Sequence, residues 1–311
     1  MTSIAEEMVR QSLERVNLGT PRSLSDLTVW PLLGPDIPVK SYWLLDPAIR
    51  RRACEVREAR EEVVDSVVVA NDADEPIFAL HGQLLKGAKQ NRAINLTTMF
   101  PARSETNVYV ACVERGRWTE GKVFADASWI QSAAGRSEKL GTVLDDLDRN
   151  GAGRANQDRV WCQQAIKSRR LQVQASTLDE IEIQEQGLGA AMTAIVDQWT
   201  AEEDQIGAIL CANNSWAIEV FDQANTYAGY HTSLLKSFAL EASEARSCGI
   251  APARTSPRIL LDKIWSAAWQ VAGTPGAGTL LASSRDATKR CALIWENACV
   301  SVSASGFQNQ V

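Results

Sequence analysis

The stretch VVDSVVVANDADEPIFALHGQLL, residues 63–85, contains two apolar runs separated by a polar break. The runs are rich in valine, isoleucine and leucine, and the break from Asn71 to Pro76 holds asparagine, aspartate and proline. Runs of this kind, bounded by turn-forming residues, are typical of strands joined by a turn. We therefore predict a hairpin of two half-buried strands in this stretch.

A second stretch repeats this arrangement further along the chain. INLTTMFPARSETNVYVACVERGRW, residues 94–118, also contains two apolar runs, and its turn is predicted at Pro101–Thr106. Two hairpins with half-buried strands indicate an antiparallel or mixed sheet. Residues 25–118 are thus predicted to be mainly strand.

Helical periodicity flanks this β region on both sides. Apolar residues fall near helical spacing in residues 3–17, and residues 140–147 place four of them at i, i+3, i+4 and i+7. Residues 157–170 and 177–200 are also predicted helices, as is a long segment after residue 222. Ser256-Pro257 has the residue types of a helix N-cap followed by proline, and the predicted buried residues of that helix are Leu261, Ile264, Trp265 and Ala268.

Strands return towards the C-terminus and complete the predicted fold. IGAILCA and WAIEVFD flank Asn213–Ser215, a predicted tight hairpin because asparagine tolerates positive φ, and TLLASS, RCALIWE and CVSVSAS are the last predicted strands. Regular βαβα alternation is missing, so we predict an α+β fold: an N-terminal antiparallel or mixed sheet region packed with helices, and further short strands near the C-terminus. The predicted organisation is an N-terminal helix in 1–22, an α+β domain in 23–245, and a C-terminal helix with strands in 246–311, packed on the same domain.

Composition limits the classes of function. A net charge of −6 argues against broad binding to nucleic acids or to anionic membranes. The longest apolar stretches also fall short of the about 20 residues that span a bilayer. The seven cysteines are scattered and never spaced C-x-x-C, which indicates reduced thiols in a cytoplasmic protein. Two histidines cannot form a histidine-rich metal site, and a carboxylate site, the alternative, has no motif behind it, so we assign no metal ligands. The sequence does not identify a cofactor.

Two glycine-rich segments superficially resemble phosphate-binding loops. GTPGAGT, residues 273–279, lacks the lysine of such a loop and runs from helix into strand, so we interpret it as a turn. GLGAA, residues 187–191, lacks a third glycine and is interpreted as a loop or a helix start.

The polar break GAKQNR is unusual in an acidic chain. Lys86, Lys89 and Arg92 place three cations within seven residues, beside the amides of Gln90 and Asn91. An ammonium acts as a point charge, whereas a guanidinium can bind a phosphate or carboxylate through two hydrogen bonds. Composition alone favours a solvated turn between strands, and an anion-binding loop is the alternative.

The strand end CVERGRW holds a second polar group. Strand alternation puts Cys112 and Glu114 on one side, and Arg117 and Trp118 lie just past the strand. In a functional interpretation Glu114 is an acid, a base or a metal ligand, Arg117 clamps an anion, and Trp118 stacks on a ring. In the structural alternative Glu114 and Arg117 form a surface pair of little value, and Cys112 is a small core residue.

Together these strings resemble the ARPP family, whose name abbreviates "ARG and rhodanese-phosphatase-superfamily-associated protein". The order LTVWPLL, LLDPA, VANDADEPIFALHGQLLKGAKQNRAIN, VYVACVERGRW and FDQANTYAGYHTSLLKSFALEA carries the resemblance, from about residue 23 to about residue 245. The name refers to ADP-ribosylglycohydrolases and phosphatase-like enzymes. The resemblance therefore implies a role near ADP-ribose or related nucleotide metabolism.

The resemblance also singles out individual residues of this chain. The matching positions are Lys89, Gln90, Asn91, Arg92, Asn95, Cys112, Glu114, Arg117 and Trp118. Where the family pattern implies an acid, this chain has Gln83, beside His81. If that acid is catalytic in relatives, this protein binds without turnover or uses Glu114 instead.

Three functions remain open from the sequence. The first is binding or processing of a small anionic metabolite related to ADP-ribose or nucleotides, by hydrolysis or group transfer, with Glu114 as general acid or base. In this function Lys89 and Arg92 neutralise the phosphate and stabilise the charge that develops during the reaction. The other binding residues are Gln90, Asn91, Asn95, Arg117 and Trp118. The second is a thiol enzyme with Cys112 as nucleophile. The third is a non-catalytic interaction protein with a protein partner or a second copy of itself.

Overall fold

The computed structural model describes residues 2–59, 64–248, 256–283 and 287–308. Within these ranges the chain forms seven helices and eighteen strands, which confirms the α+β fold class. The helices are α1 (Thr2–Glu14), α2 (Leu45–Arg50), α3 (Ala133–Asn150), α4 (Gln157–Arg170), α5 (Glu180–Asp197), α6 (Ala224–Cys248) and α7 (Pro257–Trp265). The strands are β1 (Asn17–Leu18), β2 (Arg22–Leu24), β3 (Leu27–Leu33), β4 (Trp43–Leu44), β5 (Cys54–Glu58), β6 (Ser66–Asn71), β7 (Ile77–Ala79), β8 (Gln83–Gly87), β9 (Arg92–Ile94), β10 (Thr98–Phe100), β11 (Ser104–Cys112), β12 (Val123–Ile130), β13 (Gln205–Ala212), β14 (Ser215–Phe221), β15 (Gln270–Ala272), β16 (Thr279–Ser283), β17 (Lys289–Trp295) and β18 (Ala298–Phe307).

A nine-stranded antiparallel sheet dominates the described part of the chain. Its order is β1-β3-β13-β14-β18-β17-β16-β15, and β2 also pairs with β3. The hairpin predicted at Asn213 is confirmed, because β13 pairs with β14 up to Ala212↔Ser215 and Asn213 has φ of 55°. The last strand, β18, lies in the centre of this sheet and pairs with β14 along seven residue pairs, whereas β15 is at its edge.

Helices cover both faces of the large sheet, and every residue of β13 and β14 is buried as a result. Helix α6 packs on one face, and α1 and α7 pack on the other. Helix α7 buries Leu260 and Ile264, whereas the predicted core residue Trp265 is 42% exposed and Ala268 is exposed beyond the helix end. That part of the prediction is wrong because α7 ends at Trp265, and Trp269 takes the buried position before β15.

A second, closed barrel is formed by six strands in the order β11-β6-β5-β12-β8-β9. Its interior is filled by alternate side chains of its strands, which follows from the two-residue period of a strand. The buried residues include Val56, Val69, Leu85, Ile94 and Val110. A small sheet of three strands, in the order β10-β7-β4, is formed by the same part of the chain as the barrel, residues 43–130.

The two hairpins predicted within residues 63–118 are wrong in their pairing. In the first stretch, β6 and β7 do not pair with each other. β6 pairs with β5 and with β11 of the second stretch, and β7 pairs with β4 and with β10 of the second stretch. The chain leaves the barrel at Asn71–Pro76 to form β7, re-enters it as β8 and β9, and passes from β10 of the small sheet back to β11 of the barrel at Pro101. The Asn71 side chain donates to the carbonyl oxygens of Glu75 and Pro101, both at 2.9 Å, and holds the two crossings together.

Helices α3 to α5 lie against the barrel and the large sheet. Leu140, Val143 and Leu144 of α3 are buried as predicted, and the helix ends at Gly151, which has φ of 69°. Val160 of α4 and Ile181 of α5 pack on the outside of the barrel. This packing brings the N-terminus of α5 next to the loop between β8 and β9.

The glycine-rich segments have structural roles. Residues 273–278 form the turn between the paired strands β15 and β16, as predicted. Residues 187–191 lie inside α5, where Gly189 has φ of 67° and ψ of 164° and kinks the helix. None of the described helices is long and apolar enough to cross a membrane.

Candidate functional site

The two polar strings meet at one end of the barrel. β9 pairs with β11 so that Arg92 lies opposite Cys112. Beyond this pair, the Val113 amide donates to the Asn91 carbonyl oxygen at 3.0 Å. The turn after β11 therefore lies directly against the loop between β8 and β9.

Arg117 is the centre of this contact. Its Nε donates to Oε1 of Glu114 at 2.7 Å, and its Nη2 lies 2.7 Å from Oε2, so the two groups form a bidentate pair. The other acceptors, at 2.9–3.2 Å, are the carbonyl oxygens of Gly87 and Ala88, Oδ1 of Asn91 and Oγ1 of Thr119. All three nitrogens of Arg117 are thus engaged within the chain. Arg117 therefore joins the loop to the turn, and in this conformation each of its nitrogens already has an acceptor other than an external anion.

Glu114 is almost fully enclosed, with 4% of the residue exposed. Its oxygens also accept from the Asn91 amide at 3.1 Å and from Oγ1 of Thr177 at 3.2 Å. Burial acts to raise the pKa of Glu114, but the bonds from Arg117, Asn91 and Thr177 outweigh it and lower the pKa. The carboxylate is therefore ionised at neutral pH, which suits a structural anion better than a general acid.

Asn91 links the loop to α5. Its Nδ2 donates to Oδ1 of Asp179 at 3.0 Å, and its Oδ1 accepts from the Gly87 amide at 2.8 Å. Asp179 is the N-cap of α5 and also accepts from the Ile181 amide at 3.1 Å. Sequence reasoning missed Asp179 as a member of this cluster. An aspartate just before a helical segment is the signal for a cap, but that signal does not name a distant partner.

Arg92 is fully buried inside the end of the barrel. Its Nη1 donates to Oε1 of Gln90 at 3.0 Å and to Sγ of Cys112 at 2.8 Å, and its Nη2 lies 3.7 Å from Oε1 of Glu58. Its Nε and Nη2 have no hydrogen-bond partner in the described part of the chain. Glu58 is a further residue that sequence reasoning missed.

Cys112 is a poor nucleophile in this position. Burial raises the pKa of its thiol, and the nearby charge of Arg92 offsets this only in part. The Cys112 residue is 3% exposed, and its thiol donates a weak hydrogen bond to the carbonyl oxygen of Val64 at 3.8 Å. Cys112 therefore packs as a small core residue.

Trp118 is the exposed member of the cluster, and the half-buried Lys89 lies against it. The indole of Trp118 is 56% exposed, and Nζ of Lys89 lies 5.0 Å from its ring centroid. The Thr119 amide donates to the Lys89 carbonyl oxygen at 3.4 Å, so the two side chains are carried by bonded backbone. The ammonium of the half-buried Lys89 therefore lies over one face of an exposed indole.

Asn95 lies away from these residues. Its Nδ2 donates to the Gly153 carbonyl oxygen at 3.1 Å, and the residue lines a cavity of about 210 Å³ with Tyr109 and Gly151. Another cavity, of about 370 Å³, lies along α3 and β15 and includes none of the predicted site residues. The structure thus separates Asn95 from the other predicted binding residues.

Comparison with protein families gives one match. The model of the ARG and Rhodanese-Phosphatase-superfamily-associated Protein domain, ARPP-1, matches residues 15–305. The chain belongs to the ARPP-1 family. The match extends past the expected limits of about 23 and 245 and takes in β15 to β17 and most of β18. No curated protein and no solved structure matches the chain.

Gln83, at the position where the resemblance implied an acid, is held by hydrogen bonds to two side chains. Gln83 begins β8, at the far end of that strand from Gly87. Its Nε2 donates to Oδ1 of Asp46 at 2.7 Å, and its Oε1 accepts from the Tyr230 hydroxyl at 3.0 Å. Burial raises the pKa of Asp46 to about 6. An acid in place of Gln83 would face the Asp46 carboxyl directly, so the amide avoids a pair of adjacent carboxyl groups in this chain.

The described part of this ARPP-1 chain has no ready-made metal centre. No group of three or more histidine, cysteine, aspartate or glutamate side chains is placed there to hold a metal ion.

Proposed function

We propose that this ARPP-1 protein binds a small anionic metabolite, related to ADP-ribose or a nucleotide, on the surface formed by Lys89 and Trp118. The observation that carries the proposal is the placement of the exposed Trp118 indole 5.0 Å from Nζ of Lys89. An exposed indole offers a face on which a base can stack, and an ammonium offers charge for a phosphate. The association in the family name supports nucleotide-related ligands as the first to test.

Rigid support makes this surface suitable for recognition. Trp118 lies between Arg117 and Thr119, and both neighbours bond to the loop that carries Lys89. The side chains are thus held near one another before a ligand arrives, which lowers the entropy lost on binding. Arg117, Glu114 and Asn91 act in this proposal as positioning residues rather than as ligand contacts.

The local charge also favours an anion. Lys86, Arg115 and Lys122 are exposed on the same two segments, and Glu120 is the exposed acid among them. The chain as a whole has a net charge of −6, so this surface is locally positive on an acidic protein. Positive local potential raises the concentration of anionic ligands near the surface.

We propose binding alone, without a reaction. A hydrolase or transferase step through Glu114 would require Arg117 to release a carboxylate that it holds with two bonds of 2.7 Å. A thiol mechanism through Cys112 is opposed by burial, which raises the pKa of that thiol.

The alternative is a non-catalytic structural or interaction role, and one observation favours it. Asn91, Glu114 and Arg117 bond mainly to each other and to neighbouring backbone, as expected of a cluster that locks a loop in place. In this alternative Asn91→Ala lowers the free energy of unfolding by about 1–3 kcal/mol, because its partners lose their bonds. Added nucleotides then have no effect on the melting temperature.

A thermal-shift experiment separates the two functions. The ligands are ADP-ribose, NAD, AMP and a sugar phosphate, and the variants are Lys89→Ala and Trp118→Ala. Lys236→Ala is a matched control, because Nζ of Lys236 lies 5.1 Å from the ring of Trp129 on another part of the molecule. We expect at least one ligand to raise the Tm of the wild type and of the control, and to raise it much less in the other two variants. An unchanged Tm with every ligand, or equal shifts in all variants, would contradict the proposal.

A further inference from the structure

The guanidinium of Arg92 is only partly satisfied by its neighbours. Its Nη1 donates to Gln90 and Cys112, whereas its Nε and Nη2 have no hydrogen-bond partner in the part of the chain that the structure describes. The side chain is fully buried, so bulk solvent does not take the place of these partners. A buried cation with unpaired N–H groups is costly, and a guanidinium is best matched by an oxyanion that accepts two bonds. Nε and Nη2 of Arg92 are therefore two donors available to an oxyanion.

Glu58 places a carboxylate beside these donors without bonding to them. Its Oε1 accepts from the Lys89 amide at 3.2 Å and lies 3.7 Å from Nη2 of Arg92, which is beyond hydrogen-bond range. The same oxygen thus binds the loop backbone and leaves the guanidinium unbonded. Glu58 is an internal anion that balances the charge of Arg92 but does not satisfy its N–H groups.

The Glu58 side chain can leave this position while its strand stays in place. Glu58 is the last residue of β5, where it pairs with Val67, and its amide donates to the Lys122 carbonyl oxygen at 2.9 Å. Its side chain is 12% exposed, whereas that of Arg92 is 0% exposed, so the carboxylate is the member of the pair that reaches solvent. Rotation of a side chain at the surface is fast and local. Such a rotation would uncover the Lys89 amide together with the two unbonded nitrogens.

We propose that the Lys89 amide and Nε and Nη2 of Arg92 form a site for a tetrahedral oxyanion such as a phosphate group, and that Glu58 occupies this site when no anion is bound. A phosphate group has three strong acceptor oxygens. One oxygen takes the loop amide and the others take the guanidinium, which the single oxygen of Glu58 does not do. Because an anion replaces an anion, the charge of Arg92 stays balanced throughout the exchange. The site lies on the buried side of the loop and does not depend on stacking at Trp118.

An NMR titration with inorganic phosphate tests this site. The protein is labelled with ¹⁵N-lysine, and the amide resonances of Lys89 and Lys236 are assigned by their loss in Lys89→Arg and Lys236→Arg. The titration compares the wild type with Glu58→Gln, which removes the internal charge and keeps the size of the side chain. Glu55→Gln is the matched control, because it removes an exposed carboxylate from the same strand.

We expect phosphate to shift the Lys89 resonance saturably while that of Lys236 stays in place. The phosphate concentration at half-saturation should be at least about tenfold lower in Glu58→Gln than in the wild type, because a like charge no longer competes for the site. Glu55→Gln should match the wild type. No shift of the Lys89 resonance, equal half-saturation in the wild type and Glu58→Gln, or equal tightening in Glu55→Gln would overturn the proposal. Loss of the folded spectrum in Glu58→Gln would show that Glu58 is a structural partner of Arg92 and would also overturn it.

This test is distinguishable from that of the nucleotide surface. The double variant Glu58→Gln/Trp118→Ala should keep the response to phosphate of Glu58→Gln, and loss of that response would overturn a site separate from Trp118. Nucleotides that leave the Tm of the wild type unchanged would contradict the proposed function and leave the response to phosphate as expected.

Discussion

Replacing Arg117 with methionine tests the central contact of the site. The Arg117 side chain is 26% exposed and its partner Glu114 is 5% exposed, so the substitution leaves a nearly buried carboxylate without its cation. Breaking a buried ion pair in this way costs about 3–5 kcal/mol, and the partial exposure of Arg117 places the expected loss near the lower value, about 3 kcal/mol. Glu114 keeps only the bonds from Asn91 and Thr177.

A double-mutant cycle isolates the interaction between the two side chains. In the double variant Glu114→Gln/Arg117→Met no charge is left unpaired, so its loss should fall below the sum of the single losses by about 1–3 kcal/mol. The assay is urea unfolding followed by tryptophan fluorescence. The control is Arg159→Met, which removes an exposed pair with Glu138 and should cost about 0.5 kcal/mol or less.

Acid provides an internal check on this explanation. Because the folded protein lowers the pKa of Glu114, the stabilisation is present above the ordinary pKa and is lost as pH falls through the folded value. The difference between wild type and Arg117→Met should therefore narrow in acid, where the carboxyl is protonated in both. Additive single losses, or a loss no larger than that of Arg159→Met, would refute the explanation.

Three further substitutions test other parts of the structure by urea unfolding. Burial lowers the pKa of Lys139 to about 7, so the folded state loses its proton first as pH rises towards 10.5. The free energy of unfolding of the wild type should then rise between about pH 7 and pH 10.5, whereas that of Lys139→Met should not show this rise. Parallel pH profiles of the two proteins would contradict the expectation. Burial raises the pKa of Asp46 from 3.8 to about 6, so the folded state keeps this proton to a higher pH than the unfolded state. The free energy of unfolding should therefore fall as pH rises from 3.8 to about 6 in the wild type but not in Asp46→Asn. An equal fall in both proteins would contradict this expectation. A Cβ on Gly276 would lie 2.2 Å from the Met99 carbonyl oxygen, so Gly276→Ala should lower the free energy of unfolding by about 1–3 kcal/mol. A Cβ on Gly273 would have no heavy atom within 4 Å, so Gly273→Ala should not have this effect. Equal effects of the two substitutions would contradict the packing.

Local elements could be predicted from the sequence because their signals are local. The apolar face of α3 and the turn at Asn213 depend on periodicity and on the φ angles that asparagine and glycine accept. Strand pairing could not be predicted in the same way. The residues at Asn71–Pro76 have the same turn chemistry whether the chain returns to its own strand or crosses to another sheet. Only the closed barrel decides that β6 pairs with β11.

The site shows the same division between local and distant information. The residues of the loop and the turn were assigned to one candidate site from the two strings of the family pattern. The partner of each side chain was not, because Asn91 bonds to Asp179 across 88 positions of the chain. Burial of Arg92 could not be predicted either, since a cation in a polar break is usually solvated, and only the barrel closes around it.

Fluorine NMR of protein labelled with 5-fluorotryptophan tests the proposed binding surface most directly. The chain has ten tryptophans, and the spectrum of Trp118→Phe assigns the resonance of Trp118 by its loss. On addition of ADP-ribose or AMP, we expect the Trp118 resonance to shift saturably while that of Trp129 stays in place. An unchanged Trp118 resonance at saturating ligand, or equal shifts of both resonances, would contradict binding at this surface.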